Sequence, residues 1–180
     1  DVCTSHLHIF GIEKNGKLLT VDGGPEEYEE ILSLQFGGDR RALAGHFFFL
    51  VEALAREHRP DIIAHFDLVK VRNRGQEHYR EDEKWYRKSV TNALDAIASA
   101  GSIMEINTGG LSRGKSDTFY PSPWILREAR ARNIPITINS DVHVPEAVDA
   151  LFPEAAAAAK AAGYSTKRIF LDYTWQDVPL

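Results

Sequence analysis

Ile134-Pro135-Ile136-Thr137-Ile138-Asn139-Ser140-Asp141-Val142-His143 is the stretch whose reading decides the fold. Its first half is an apolar run rich in β-branched residues, which reads as a buried strand. Val144-Pro145-Glu146 follows, with Pro145 suited to the first turn of a helix, where a missing N–H costs nothing. An acid and an imidazole thus lie between the carboxyl end of a strand and a helix, the place where α/β sheets and barrels put their chemistry. Side chains two apart on a strand share a face. If the extended geometry persists, Asp141 and His143 converge, and one carboxylate with one imidazole makes a divalent-metal pair. Asp-x-His is common, so a surface or capping pair is the competing reading.

The device recurs upstream. Asp61-Ile62-Ile63-Ala64-His65-Phe66-Asp67 reads as a strand with His65 and Asp67 at its carboxyl end, and chance alone would not prefer strand ends. His6 and His8 stand two apart on a strand read over 1–10, either as metal ligands or as two half-exposed histidines near a terminus. On the strand read over 102–107, Glu105 and Asn107 share a face. A glutamate inside an apolar strand needs a partner, which a metal, an arginine or a substrate cation could supply. The segment 108–115 reads as a flexible loop carrying Arg113 and Lys115, and 70–79 as a basic loop over the same face, with Arg72 and Arg74, the competing reading being charges that are only solvated. Tyr120-Pro121-Ser122-Pro123 starts a helix with Ser122 as N-cap. Its free N–H groups become an anion site only if they face Arg113.

Between these stretches the apolar spacing is helical. A helix is expected over 26–35, and a second runs from an Asp39 cap to 58 with Leu43, Phe47, Leu50, Val51 and Leu54 as its stripe. A third covers 82–100 with Tyr86, Val90, Leu94 and Ile97 inward and Gly101 at its end. An alanine-rich helix over 153–162 covers the surface, and Arg168-Ile169-Phe170-Leu171 makes a last short strand. His46 reads as a partly buried structural histidine, and His58 and His78 as surface residues. Strands and helices alternate, so the fold expected is α/β with a parallel sheet of about five strands, barrel-like or doubly wound, in one domain over 1–180.

The bulk numbers fit that picture. A chain of 180 residues suits one domain with a sizeable core. No apolar run approaches membrane-spanning length. A net charge of −5 argues against nucleic acid as the main partner. The lone Cys3 excludes an internal disulfide and fits a reducing, cytoplasmic compartment. The chain opens at Asp1, directly in a strand-like stretch, which predicts a sequence that begins inside its domain.

Taken together, five stretches resemble the PHP (polymerase and histidinol phosphatase) family, most of all its histidinol-phosphatase branch. They are Ser5-His6-Leu7-His8, His65-Phe66-Asp67-Leu68-Val69-Lys70, Glu105-Ile106-Asn107-Thr108-Gly109-Gly110-Leu111, Tyr120-Pro121-Ser122-Pro123 and Asn139-Ser140-Asp141-Val142-His143, in the family's order. The resemblance implies a distorted (β/α) barrel, here incomplete, with the C-terminal two-thirds of the family's domain present and its N-terminal motifs missing. It implies His8, His65, Asp141 and His143 as metal ligands for Zn, Mn or Fe, two or three ions in the full family site. Arg113 would bind the substrate phosphate, with Tyr120 and Ser122 lining that pocket. His8 takes the family's ligand place, and His6 falls where the family has serine, which leaves its role open.

The activity so implied is metal-dependent phosphomonoester hydrolysis, with L-histidinol phosphate as substrate and a place in histidine biosynthesis. Asp141, His143 and Arg113 would carry the chemistry, and Glu105 and Asn107 would line the substrate site, Glu105 toward the substrate's ammonium group. Two alternatives are a PHP phosphoesterase for another phosphate ester and a non-catalytic scaffold fragment that binds metal weakly. An open barrel edge would favour homo-oligomers.

Overall fold

The computed structural model describes residues 2–180, so the first residue of the strand expected over 1–10 lies outside the described residues. In chain order the elements are β1 (Thr4–Ser5), a hairpin of β2 (Ile9–Lys14) and β3 (Lys17–Thr20), then α1 (Pro25–Phe36), α2 (Arg40–His58), β4 (Ile62–Ile63) and α3 (Lys84–Ala100). They continue with β5 (Ile103–Asn107), the one-turn α4 (Gly109–Ser112), α5 (Pro123–Ala131), β6 (Ile136–Asn139), α6 (Phe152–Ala161) and a hairpin of β7 (Thr166–Leu171) and β8 (Thr174–Pro179). The fold is α/β, built on a parallel four-stranded sheet in the order β1-β4-β5-β6. Parallel neighbours follow one another along the chain without a reversal, which is barrel-type order and not doubly wound. Among the described residues the sheet stays open, with β1 and β6 at its edges.

All five residues of β5 are buried, as a parallel strand covered on both faces requires. Helices α2 and α3 pack extensively on each other. The predicted inward residues of α3, Tyr86, Val90, Leu94 and Ile97, are all fully buried, and Tyr86 meets Phe48 of α2 edge-on at 5.3 Å between ring centroids. Asp39 caps α2 through the N–H groups of Arg41 and Ala42. Gly101 ends α3 with φ +77°, a backbone conformation that glycine adopts without strain. His46 packs among Phe10, Phe36 and Phe49, and burial lowers its pKa. No helix among the described residues is long and apolar enough to cross a membrane.

Five expectations need correction. The fifth strand, over 168–171, does not join the parallel sheet; it lies in β7, which pairs antiparallel with β8. The turn is Asp172-Tyr173 with φ +50° and +61°, the two left-handed residues that a tight hairpin needs, supplied without the Asn-Gly or Asp-Gly signal. The strand over 61–67 shrinks to β4, because His65 turns with φ +29°. The strand over 1–10 divides into β1 and the start of the β2–β3 hairpin. Finally, 70–79 is not simply a solvated loop: it lies partly in two short 3-10 turns, Leu68–Arg72 and Arg74–Gln76, with Lys70 and Val71 buried, and 108–115 contains α4.

Candidate functional site

The carboxyl ends of the four parallel strands face one region. His6 and His8 follow β1, and His65 follows β4. One ring nitrogen of each lies within 4.8 Å of the other two. The ring centroids are 4.6 Å apart for His6–His8, 4.8 Å for His8–His65 and 5.2 Å for His6–His65. His65 is 4% exposed, and its Nδ1 is buried without a hydrogen-bond partner. Burial first, then the charges of His8 and His6, push its pKa down to about 4, against the opposing pull of Asp141. Burial and then His8 likewise lower the pKa of His6, with Asp141 and Asp22 opposing. The His65 ring is therefore neutral at pH 7, as metal ligation requires.

Asp22 was not singled out from the sequence, where it reads only as part of the Asp22-Gly23-Gly24-Pro25 turn before α1. Its Oδ1 lies 2.7 Å from His8 Nδ1 and fixes that ring. Burial pushes the Asp22 carboxyl up, but the hydrogen bond and charge of His8 outweigh it and hold the pKa below the usual range. No local signal would have found this contact, because a hairpin separates the two residues.

Glu105 holds the strand ends in place. Its carboxylate accepts the His65 N–H at 2.8 Å and the side-chain amides of Asn107 and Asn139, each at 2.9 Å. The first of these bonds accompanies the left-handed turn at His65. Burial raises the Glu105 pKa, and the three donors oppose it. The partner that the sequence demanded is thus internal: amides and a backbone N–H, where a metal, an arginine or a substrate ammonium was expected. Asn107 is similarly engaged, its Oδ1 accepting the Gly109 N–H at 2.9 Å.

On the β6 side, Asp141 has φ +48°, so the strand does not stay extended to His143. Arg113 grips Asp141 twice, Nη1 donating to its carbonyl at 2.5 Å and Nη2 to Oδ2 at 3.1 Å. His143 is exposed, with Nδ1 3.1 Å from the Asp141 carbonyl, and does not belong to the three-ring group. Asp141 is near enough for its charge to act on both His6 and His65. The close approach of Arg113 depends on Gly109: a Cβ there would stand 2.5 Å from the Ser140 carbonyl and 2.8 Å from Arg113 Nη1. Gly110 is equally constrained, since its Cβ would meet the Tyr120 ring at 2.3 Å.

Tyr120 and Ser122 belong to a buried network on the α5 side. Backbone bonds between Asn107 and Tyr120 dock this segment on β5. Lys70 Nζ donates to Ser122 Oγ at 2.8 Å, Thr118 Oγ1 at 2.9 Å and the Phe119 carbonyl at 2.7 Å, lies 2.9 Å from Asp67 Oδ2, and sits 5.1 Å from the Tyr120 ring centroid. The Ser122 N–H donates to Asp67 Oδ2, and its hydroxyl to Glu81. Ser122 therefore occupies the N-cap position of α5 without a side-chain cap. Asp67, expected beside His65, turns to this network. Of the residues singled out from the sequence, His8 and His65 meet, joined by His6. Asp141 and Arg113 pair next to them, and Tyr120 and Ser122 gather around Lys70.

No family model matches this chain. It is 31% identical over 140 residues to a Deinococcus radiodurans protein named "Probable histidinol-phosphatase", an alignment covering 78% of this chain and 48% of that protein. It is 35% identical over 57 residues to the histidinol-phosphatase of Bacillus subtilis, covering 32% of this chain and 21% of that one. The chain thus spans about half the length of the first relative. The crystal structure of a Listeria monocytogenes protein, described as a candidate histidinol phosphatase hisK, superposes with a TM-score of 0.71 at 19% identity, over 86% of this chain and 57% of that one. That likeness establishes a shared fold.

Proposed function

We propose that this chain, a relative of the histidinol phosphatases, forms part of a metal-dependent phosphomonoesterase that converts L-histidinol phosphate and water to L-histidinol and phosphate. The observation that carries the reading is the convergence of three imidazoles, one of them the buried and neutral His65 ring, beside the Arg113–Asp141 pair. Such a donor set fits a divalent cation. His8 and His65 are proposed ligands within that group, with Asp22 orienting His8, and Asp141 and His143 are proposed to join them from outside it. Zn, Mn or Fe bound there would supply a water of lowered pKa and positive charge opposite the phosphoryl oxygens.

The chain's own residues provide the remainder. Arg113 is partly exposed and can turn its planar donors from Asp141 to the phosphoryl group, neutralising it and orienting phosphorus for in-line attack. As the water oxygen bonds to phosphorus, the P–O bond to the alkoxide breaks, and Asp141 relays the water's proton to that leaving oxygen. Tyr120 and Ser122, fixed by Lys70, give the phosphate pocket a wall. Such a substrate would fit a role in histidine biosynthesis, in the cytoplasm.

The test is phosphate release from L-histidinol phosphate, beside a panel of other phosphomonoesters, by metal-stripped protein reloaded with Zn²⁺ or Mn²⁺. Turnover should require metal and vanish in Asp141→Asn, which should also bind metal more weakly. Undiminished activity in that variant would remove Asp141 from the mechanism; preference for another ester would keep the chemistry and replace the substrate. A second reading is a scaffold that holds metal weakly, favoured by the position of Asp141 and His143 outside the three-ring group. Less than one equivalent of bound metal together with no hydrolysis of any ester would select it.

A further inference from the structure

We propose that His6 is itself a metal ligand, closing with His8 and His65 a three-imidazole cation site that the segment after β1 and the turn after β4 supply without any carboxylate. The inference shares two ligands with the proposed phosphatase centre and adds a third that the family resemblance does not assign.

Geometry supports it. All three pairs of rings are in contact distance, and one nitrogen from each falls within a 4.8 Å circle. The His6 and His8 rings approach to 4.6 Å between centroids although neither residue lies in a strand. A bland alternative is ring packing, since His6 and His65 stack with 25° between their planes. Packing leaves the buried His65 Nδ1 without a partner, which is costly, whereas a shared cation gives the ring one. The rings also grade outward: His65 is buried, His8 half-buried and His6 exposed. His6 is thus the outermost donor, open to an ion arriving from solvent.

The donor set decides which ions fit. Three neutral nitrogens suit Zn²⁺, Co²⁺, Ni²⁺ or Cu²⁺ and not Mg²⁺ or Ca²⁺, which need oxygen ligands. Neutral donors also leave the ion's full charge for a fourth, anionic ligand such as a phosphate oxygen.

The experiment is titration of the metal-stripped full chain with Co²⁺, followed by its visible absorption, and with Zn²⁺ in competition with a chromophoric chelator. His6→Ser, at an exposed position, should retain the wild-type far-UV circular dichroism, bind both ions about tenfold or more weakly and alter the Co²⁺ bands. Asp141→Asn should weaken Co²⁺ binding without abolishing it, and the binding that remains should still depend on His6. Unchanged affinity and spectrum in His6→Ser overturns the proposal, as does a wild-type chain that binds neither ion. Binding that depends on His6 in a protein that hydrolyses no phosphoester upholds it and sinks only the phosphatase reading.

Discussion

His65 concentrates the physics of the site in one side chain. It binds its proton less tightly in the folded chain, with a pKa near 4, than in the unfolded one, where the ordinary value is 6.5. Between those values the unfolded state takes up more protons, so acid favours unfolding. In metal-free protein this costs up to about 3 kcal/mol as pH falls from 6.5 through 4. Glu105, with its pKa raised above 4.5 by burial, works in the opposite direction and favours the folded state as pH falls toward that value. Urea midpoints in the presence of a chelator, taken across pH 4 to 7, should fall toward acid in wild type and flatten in His65→Asn. Equal slopes in the two proteins would show that His65 is not held neutral by its surroundings.

Between elements, the buried ion pair is the contact with the most at stake. Asp67 is fully buried, and Lys70 is both its cation and the link from the turn after β4 to the start of α5. Lys70→Met leaves that carboxylate without a counter-charge and should cost about 3–5 kcal/mol, while Lys70→Met with Asp67→Asn should recover a good part. Urea denaturation of both variants checks this; a single-variant loss under about 1 kcal/mol would mean that Asp67 is satisfied otherwise. The sequence did not reveal the pair because Lys70 is followed by Arg72, Asn73 and Arg74, a composition indistinguishable from a solvated loop. Helices α2 and α3 were legible from their apolar spacing, since packing one face demands it. The site was legible in residue type and not in route. His65 and Asp141 were expected to reach it by strand alternation, yet both carry positive φ. Those turns coincide with long-range contacts, Glu105 on the His65 N–H and Arg113 on the Asp141 carbonyl, which leave no local trace. His6 and His8 do meet, with ring centroids 4.6 Å apart, but not on the continuous strand from which their spacing was read.

For the molecule as a whole, a cation at the histidine rings would tie the segment after β1 to the turn after β4, two distant parts of the chain. Binding to the folded state alone stabilises by about 2.7 kcal/mol when the free ion is a hundredfold above its Kd. For a chain of this size that corresponds to a melting temperature about 5–10 °C higher with Zn²⁺ than with excess chelator. Coincident melting curves would exclude a cation that binds the native state preferentially. The same scale brings out what Glu105 does for the sheet. The carboxylate accepts one hydrogen bond from the turn after β4, one from the end of β5 and one from the end of β6, and so couples these three tips. Loosening one tip leaves the buried carboxylate with an unmade hydrogen bond, which favours opening of the three tips together.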